Sequence, residues 1–245
     1  MRTDPVECER WRCASESHPG ARRTVNEDAV LTRPELGLWA VADGMGGHTA
    51  GDVASRAITA ALGGLGAQRS LSAMVDQVDD ALRSVNRQLR TLARAECEGK
   101  MVGSTVVAMV AGGPVGVVLW AGDSRLYRSR DGELAQITRD HNPMGDLLDE
   151  GLITERRARR GEGNVITRAV GGQGELYLDV AVFDIRAGDT FLLCSDGLYR
   201  ELTEPEIGGM LLGRSVDDSV RTLMAACLDR AARDNVSLVV SRTEP

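Results

Sequence analysis

Residues 38–48 read LWAVADGMGGH, and the way this stretch is read decides the fold. LWAVA is an apolar run of strand length that stops at Asp43-Gly44. Working outward, similar runs recur at 104–110 (STVVAMV), 115–121 (VGVVLWA), 176–183 (LYLDVAVF), 190–194 (TFLLC) and 236–240 (VSLVV). Each is short, rich in valine and leucine, and bounded by Gly, Asp or Asn, as strands are. Between them lie three helical patterns. Leu71, Met74, Val78, Leu82, Val85, Leu89 and Leu92 recur at steps of three and four, the period of one helix face. Val53, Ala57, Ile58, Ala61 and Leu62 make a second stripe, and Val216, Val220, Leu223, Met224, Cys227 and Leu228 a third. Strands come in blocks, with two adjacent helices after the first and one helix before the last strand. This is not the regular strand–helix alternation of a doubly wound sheet. It predicts an α+β fold of mainly antiparallel sheets covered by helices.

With 245 residues, no internal repeat and no Pro/Ser-rich linker, one domain spanning 1–245 is expected. The stretch 144–165 (MGDLLDEGLITERRARRGEGNV) is polar and arginine-rich, and reads as a partly helical excursion over the surface.

The apolar and charged fractions, 42% and 27%, are those of a globular protein able to bury a core. A net charge of −7 argues against nucleic acid as a partner, because phosphate backbones call for a basic surface. The cysteines, Cys8, Cys13, Cys97, Cys194 and Cys227, are odd in number and form no CxxC pair, so neither a disulfide framework nor a zinc site is indicated. His18, His48 and His141 are too few for a multi-histidine metal site. No apolar run reaches membrane-spanning length and the polar start lacks a signal-peptide core, which makes a cytoplasmic setting the expectation.

The informative pattern is where the aspartates fall. Asp43 follows LWAVA, Asp123 follows VVLWAG, Asp196 follows TFLLCS, and Asp234 precedes VSLVV. Each Asp-Gly step alone is a hairpin-turn signal. Together they put four carboxylates at strand ends, where a sheet holds position while side chains project outward. If they converge, an all-oxygen site without thiolate or histidine suits Mg²⁺ or Mn²⁺. Two such ions can share a water, lower its pKa and direct it at phosphorus. The phosphate itself needs a cation, and Arg23, just ahead of the acidic pair Glu27-Asp28, is the leading candidate, with a solvated basic surface as the plain alternative.

In chain order the segments RTVNED (23–28), VADGMGGH (41–48), GST (103–105), GDSR (122–125), TRDHN (138–142), ITRAVG (166–171), LLCSDGL (192–198) and DNVSLV (234–239) resemble the type 2C (PPM) family of metal-dependent protein serine/threonine phosphatases, in its bacterial form. The resemblance implies two antiparallel sheets packed as a sandwich with helices on the outer faces, a four-layer αββα arrangement. It implies that Asp43 bridges two metals, that the Gly44 carbonyl completes one, and that Asp196 and Asp234 ligate the other. Glu27 and Asp28 would act through metal-bound waters, Arg23 would hold the substrate phosphate, and a third, weaker ion would fall between Asp123 and Asp196. Some members carry a histidine directly after Asp-Gly; here that position is Met45, and His48 is the candidate proton donor. His48 could equally cap or pack the following helix, with metal-bound water as the acid. His141 reads as structural and Cys194 as core. The excursion at 144–165 would be the family's variable flap, where Arg156, Arg157, Arg159 and Arg160 could attract acidic phosphopeptides or form a solvated charged face. The expected partners are phosphorylated proteins, including a cognate Ser/Thr kinase, with regulation of secretion a further expectation. A non-catalytic binding module and a phosphatase of small metabolites are the alternatives; the retention of Asp43, Asp123, Asp196 and Asp234 disfavours the first.

Overall fold

The computed structural model describes residues 11–46, 50–96, 101–143, 165–172 and 174–244. His48 and nearly all of the 144–165 excursion, with Arg156, Arg157, Arg159 and Arg160, lie outside the described residues.

Two antiparallel sheets are formed. One orders its strands β1 (Trp11–His18), β11 (Val236–Thr243), β10 (Thr190–Cys194), β7 (Arg125–Arg130) and β8 (Glu133–Gln136). The other orders β2 (Asp28–Arg33), β3 (Leu38–Met45), β5 (Val106–Gly112), β6 (Val115–Ala121) and β9 (Asp179–Asp184), with the short β4 (Gly103–Ser104) paired to the end of β3. Five α-helices are described: α1 (Ala50–Gly63), α2 (Leu71–Glu96), α3 (Asp196–Tyr199), α4 (Glu204–Leu211) and α5 (Val216–Asp229).

The runs of β3, β5, β6 and β10 are nearly free of polar residues because both of their faces are buried, whereas β9 leaves Val180 and Val182 exposed. Along β3, Leu38, Ala40 and Ala42 face α1 and α2, while Trp39 and Val41 face the opposite sheet. Along β10, Leu192 and Cys194 face α4 and α5, while Phe191 and Leu193 meet Trp39 and Val41 in the sandwich interior. Side chains alternate across a strand, so one run supplies two cores. The result is helix layer, sheet, sheet, helix layer, as expected.

The α2 stripe is buried as its period demands, from Met74 to Leu89. The α1 stripe is rotated from the expected one: Val53 is 45% exposed, and Gly51, Ala54, Ser55, Ile58 and Leu62 face inward. Small residues are needed there because the helix start presses on the backbone of β3. The 176–183 run begins its strand only at Asp179, and Thr105 divides the 104–110 run between β4 and β5. Strands β1, β2, β7 and β8 and helices α3 and α4 were not legible as apolar patterns. Three of those strands, β1, β2 and β8, lie at sheet edges, where one side stays wet and the sequence turns polar.

Candidate metal centre

The carboxylates assemble at one end of the sandwich, from elements far apart in sequence. Asp43 lies within β3 rather than at a turn, because the strand continues to Met45, and it pairs directly with Asp28 on β2. Asp196 opens helix α3, so neither Asp-Gly step is a hairpin turn. Asp123 sits between β6 and β7, and Asp234 just before β11.

The Asp43 backbone is gripped by the GST segment. Its N–H donates to Thr105 Oγ1 at 3.1 Å, and its carbonyl accepts from the Thr105 N–H at 2.8 Å and Ser104 Oγ at 2.9 Å. Thr105 Oγ1 in turn meets Ser124 Oγ at 2.7 Å, tying β3 to the loop that carries Asp123. The Gly44 N–H donates to the Glu27 carbonyl at 3.1 Å, which seats Glu27 beside Asp43. Asp28 accepts from Ser195 Oγ at 2.8 Å, and that hydroxyl accepts from the Ser237 N–H at 3.0 Å. One serine thus stitches β2, β10 and β11 together behind the site.

Asn235 is a second hub. Its Oδ1 accepts from the Glu27 N–H at 2.9 Å, and its Nδ2 donates to the carbonyls of Pro19 and Val25, both at 3.0 Å. His141 brackets the other side: its Nδ1 accepts from the Gly122 N–H at 3.1 Å, its own N–H donates to the Gly122 carbonyl at 2.9 Å, and its ring stacks on Trp120. That is the structural role read for it. Cys194 is fully buried core, also as read.

Among the described residues, two arginines reach the cluster. Arg23, the sequence candidate, lies 3.0–3.1 Å from the Asp234 carboxylate. Arg200, which the sequence reading missed, lies 2.8 Å from Asp196 and 3.7 Å from Asp123. Its position four residues after Asp196 is the signal that could have found it, since α-helical i,i+4 neighbours meet.

The electrostatics are those of crowded, poorly solvated carboxylates. Asp43 is held well above the ordinary carboxylate range, first by burial and then by the charges of Asp28, Asp196, Asp123 and Asp234. Burial also pushes Asp28 up to about 6 and Asp196 up to about 7. Among the described residues no three such side chains are gathered into a ready-made ligand shell. Yet Glu27 Oε1, Asp28 Oδ1, Asp123 Oδ1 and Asp196 Oδ1 are buried without a hydrogen-bond partner among the described residues. Unpartnered buried carboxylate oxygens are costly unless a cation is bound there. Among the described residues two guanidiniums face six carboxylates, and an all-oxygen donor set fits hard divalent ions.

A protein phosphatase 2C family model matches residues 17–238. The serine/threonine protein phosphatase PstP of Mycobacterium tuberculosis is 38% identical over 232 residues, covering 94% of this chain but 44% of that protein. The chain therefore spans less than half the length of that relative. Among solved structures, PppA, a key regulatory component of T6SS in Pseudomonas aeruginosa, superposes with a TM-score of 0.87 at 44% identity, covering 95% of this chain and 97% of that one. The catalytic domain of PstP in complex with two manganese ions superposes with a TM-score of 0.83 at 35% identity, covering 96% and 99%. The fold and the site together define a class of two-sheet sandwiches flanked by helices, with carboxylates gathered at one end. Within that class, the chain belongs to the type 2C (PPM) family of protein phosphatases, as its bacterial relatives do.

Proposed function

We propose that this chain is a protein serine/threonine phosphatase that hydrolyses phosphoserine and phosphothreonine with divalent cations, Mn²⁺ or Mg²⁺, and so opposes a bacterial Ser/Thr kinase. The observation that carries this reading is the set of buried, unpartnered carboxylate oxygens contributed by separate elements to one end of the sandwich. Asp43, Asp196, Asp234 and the Gly44 carbonyl would hold two ions, and Asp123 with Asp196 a third, weaker one. Bound there, the ions supply an acidified water as nucleophile and neutralise phosphate charge. Glu27 and Asp28 would orient the waters around them, Asp28 being itself oriented by Ser195. Arg23 is exposed enough to swing from Asp234 and take two phosphate oxygens in its planar fork. The leaving group's proton would come from solvent at the site or from His48.

The test is hydrolysis of a phosphothreonine peptide with added Mn²⁺ and with EDTA. Turnover is expected only with metal, and Asp43→Asn is expected to lower kcat by at least about 10²–10³-fold while leaving the circular dichroism spectrum unchanged. Undiminished turnover in that variant, or in EDTA, would remove the site assigned here.

Likeness to PppA, over 95% of this chain, favours regulation of a secretion system as the setting. Comparing phosphoproteomes of cells with and without this protein checks it; no change among secretion components counts against it.

A further inference from the structure

Arg200 stands apart from the other basic residues near the site. One of its nitrogens lies 2.8 Å from Asp196 Oδ2 and 3.7 Å from Asp123 Oδ2, so a single guanidinium faces carboxylates from two different elements. An exposed i,i+4 ion pair would be an ordinary helix ornament worth little. Here the acidic partners are interior: Asp123 is 2% exposed and Asp196 7%. Each spends one oxygen toward Arg200 and keeps a second, buried oxygen with no partner among the described residues. The pair is therefore half satisfied, and it retains donor capacity for a cation.

The arginine is also firmly placed. It follows α3 directly, with its N–H donating to the Asp196 and Leu198 carbonyls. The preceding Tyr199 donates its hydroxyl to the Asp123 carbonyl at 3.0 Å, and the Arg125 guanidinium lies 3.6 Å over the Tyr199 ring. Arg125 is fixed by a two-pronged pair with Asp140, at 2.9 and 2.7 Å. The end of α3 is thus clamped against the Asp123 loop, and Arg200 has a short, defined reach. Arg23 is different: it sits on a more open carboxylate and is itself more than half exposed.

We propose that Arg200 is a tethered cation at the Asp123–Asp196 locus, holding the two carboxylates together without metal and competing with a divalent ion for them. This rests on the metal-centre reading above and adds to it that the third ion is weak in this chain because a permanent guanidinium charge contests its ligands. Arginine does not shed its proton at working pH, so an entering ion must displace it or share the pair with it.

Calorimetric titration of the metal-free protein with Mn²⁺ tests this directly. The wild type is expected to bind two ions more tightly than a third. Arg200→Ala and Arg200→Gln should each tighten the third ion by about tenfold, the weight of one charge-assisted hydrogen bond, with the first two little changed. Arg200→Lys keeps the charge and should stay near wild type, and Asp123→Asn placed on Arg200→Gln should abolish the gain. An unchanged third-ion affinity in both neutral variants overturns the proposal while leaving the two-ion reading intact. Three equal sites in the wild type overturn it as well. No Mn²⁺ binding by any form sinks the metal centre itself, and the tethered cation with it.

Discussion

At Gly44 a single side-chain carbon would not fit. A Cβ there would lie 2.1 Å from the Gly51 carbonyl oxygen and 2.5 Å from that of Glu27. Backbone on both sides means nothing flexible can give way. The bare residue lets α1 start against β3 and lets Glu27 sit beside Asp43, with its Oε1 near Gly51. Gly44→Ala is therefore expected to cost about 1–3 kcal/mol of stability, in the range of forced overpacking, and to weaken Mn²⁺ binding because the acidic groups on both sides of the step are displaced. Urea denaturation and Mn²⁺ titration measure the two effects; a variant with wild-type values in both would show that the helix start is free to retreat. At this scale the sequence was informative about Asp43 and Asp196, whose flanking motifs are short and ordered. It was silent about Asn235, whose partners lie on another element, and about the reach of Arg200 past its helix neighbour Asp196 to Asp123.

Among elements, the segment leading into β11 shows how distant pieces are registered. Asn235 makes three hydrogen bonds to the loop between β1 and β2, and its neighbour Asp234 pairs with Arg23 from that same loop. One amide side chain therefore seats Glu27, while the backbone N–H of the same residue donates to the Asp234 carboxylate at 3.0 Å. Asn235→Ala leaves a backbone N–H and two carbonyls without that partner, and is expected to cost about 2–4 kcal/mol. Its Mn²⁺ affinity should fall by about 10–100-fold, the scale on which residues that support ligands act. Thermal denaturation without metal separates the two: a variant that lost affinity while keeping its metal-free stability would place the role in ligand geometry alone. Strands buried on both faces, such as β3, β6 and β10, announce themselves as unbroken apolar runs. Edge strands such as β1, WRCASESH, carry polar residues on the wet side, and only pairing with β11 makes them strands.

Folding the whole molecule brings acidic groups out of water and against one another, and this has a pH signature. An aspartate in the unfolded chain releases its proton near 3.8, whereas folded Asp28 holds it to about 6 and Asp196 to about 7. Across that interval the metal-free folded state binds more protons than the unfolded one. Its stability must then fall as pH rises. The Tm of EDTA-treated protein is expected to decline between about pH 5 and about pH 8, and saturating Mn²⁺ should remove or reverse the decline, because ions bound to the folded state alone stabilise it by mass action. Differential scanning calorimetry with and without Mn²⁺ checks this; a metal-free Tm that rises over the interval would mean the carboxylates are already neutralised within the protein. Among the described residues no helix is long and apolar enough to cross a membrane.

By itself the sequence determined the blocks of buried strands, the amphipathic helices and the family, because these are carried by local periodicity and short motifs. Tertiary structure decided what those motifs touch. It placed Asp43 in mid-strand, turned α1 so that Gly51 rather than Val53 faces inward, and set Arg200 between Asp123 and Asp196. Contacts between residues far apart in the chain are settled by packing and register, and neither leaves a periodic trace in the sequence.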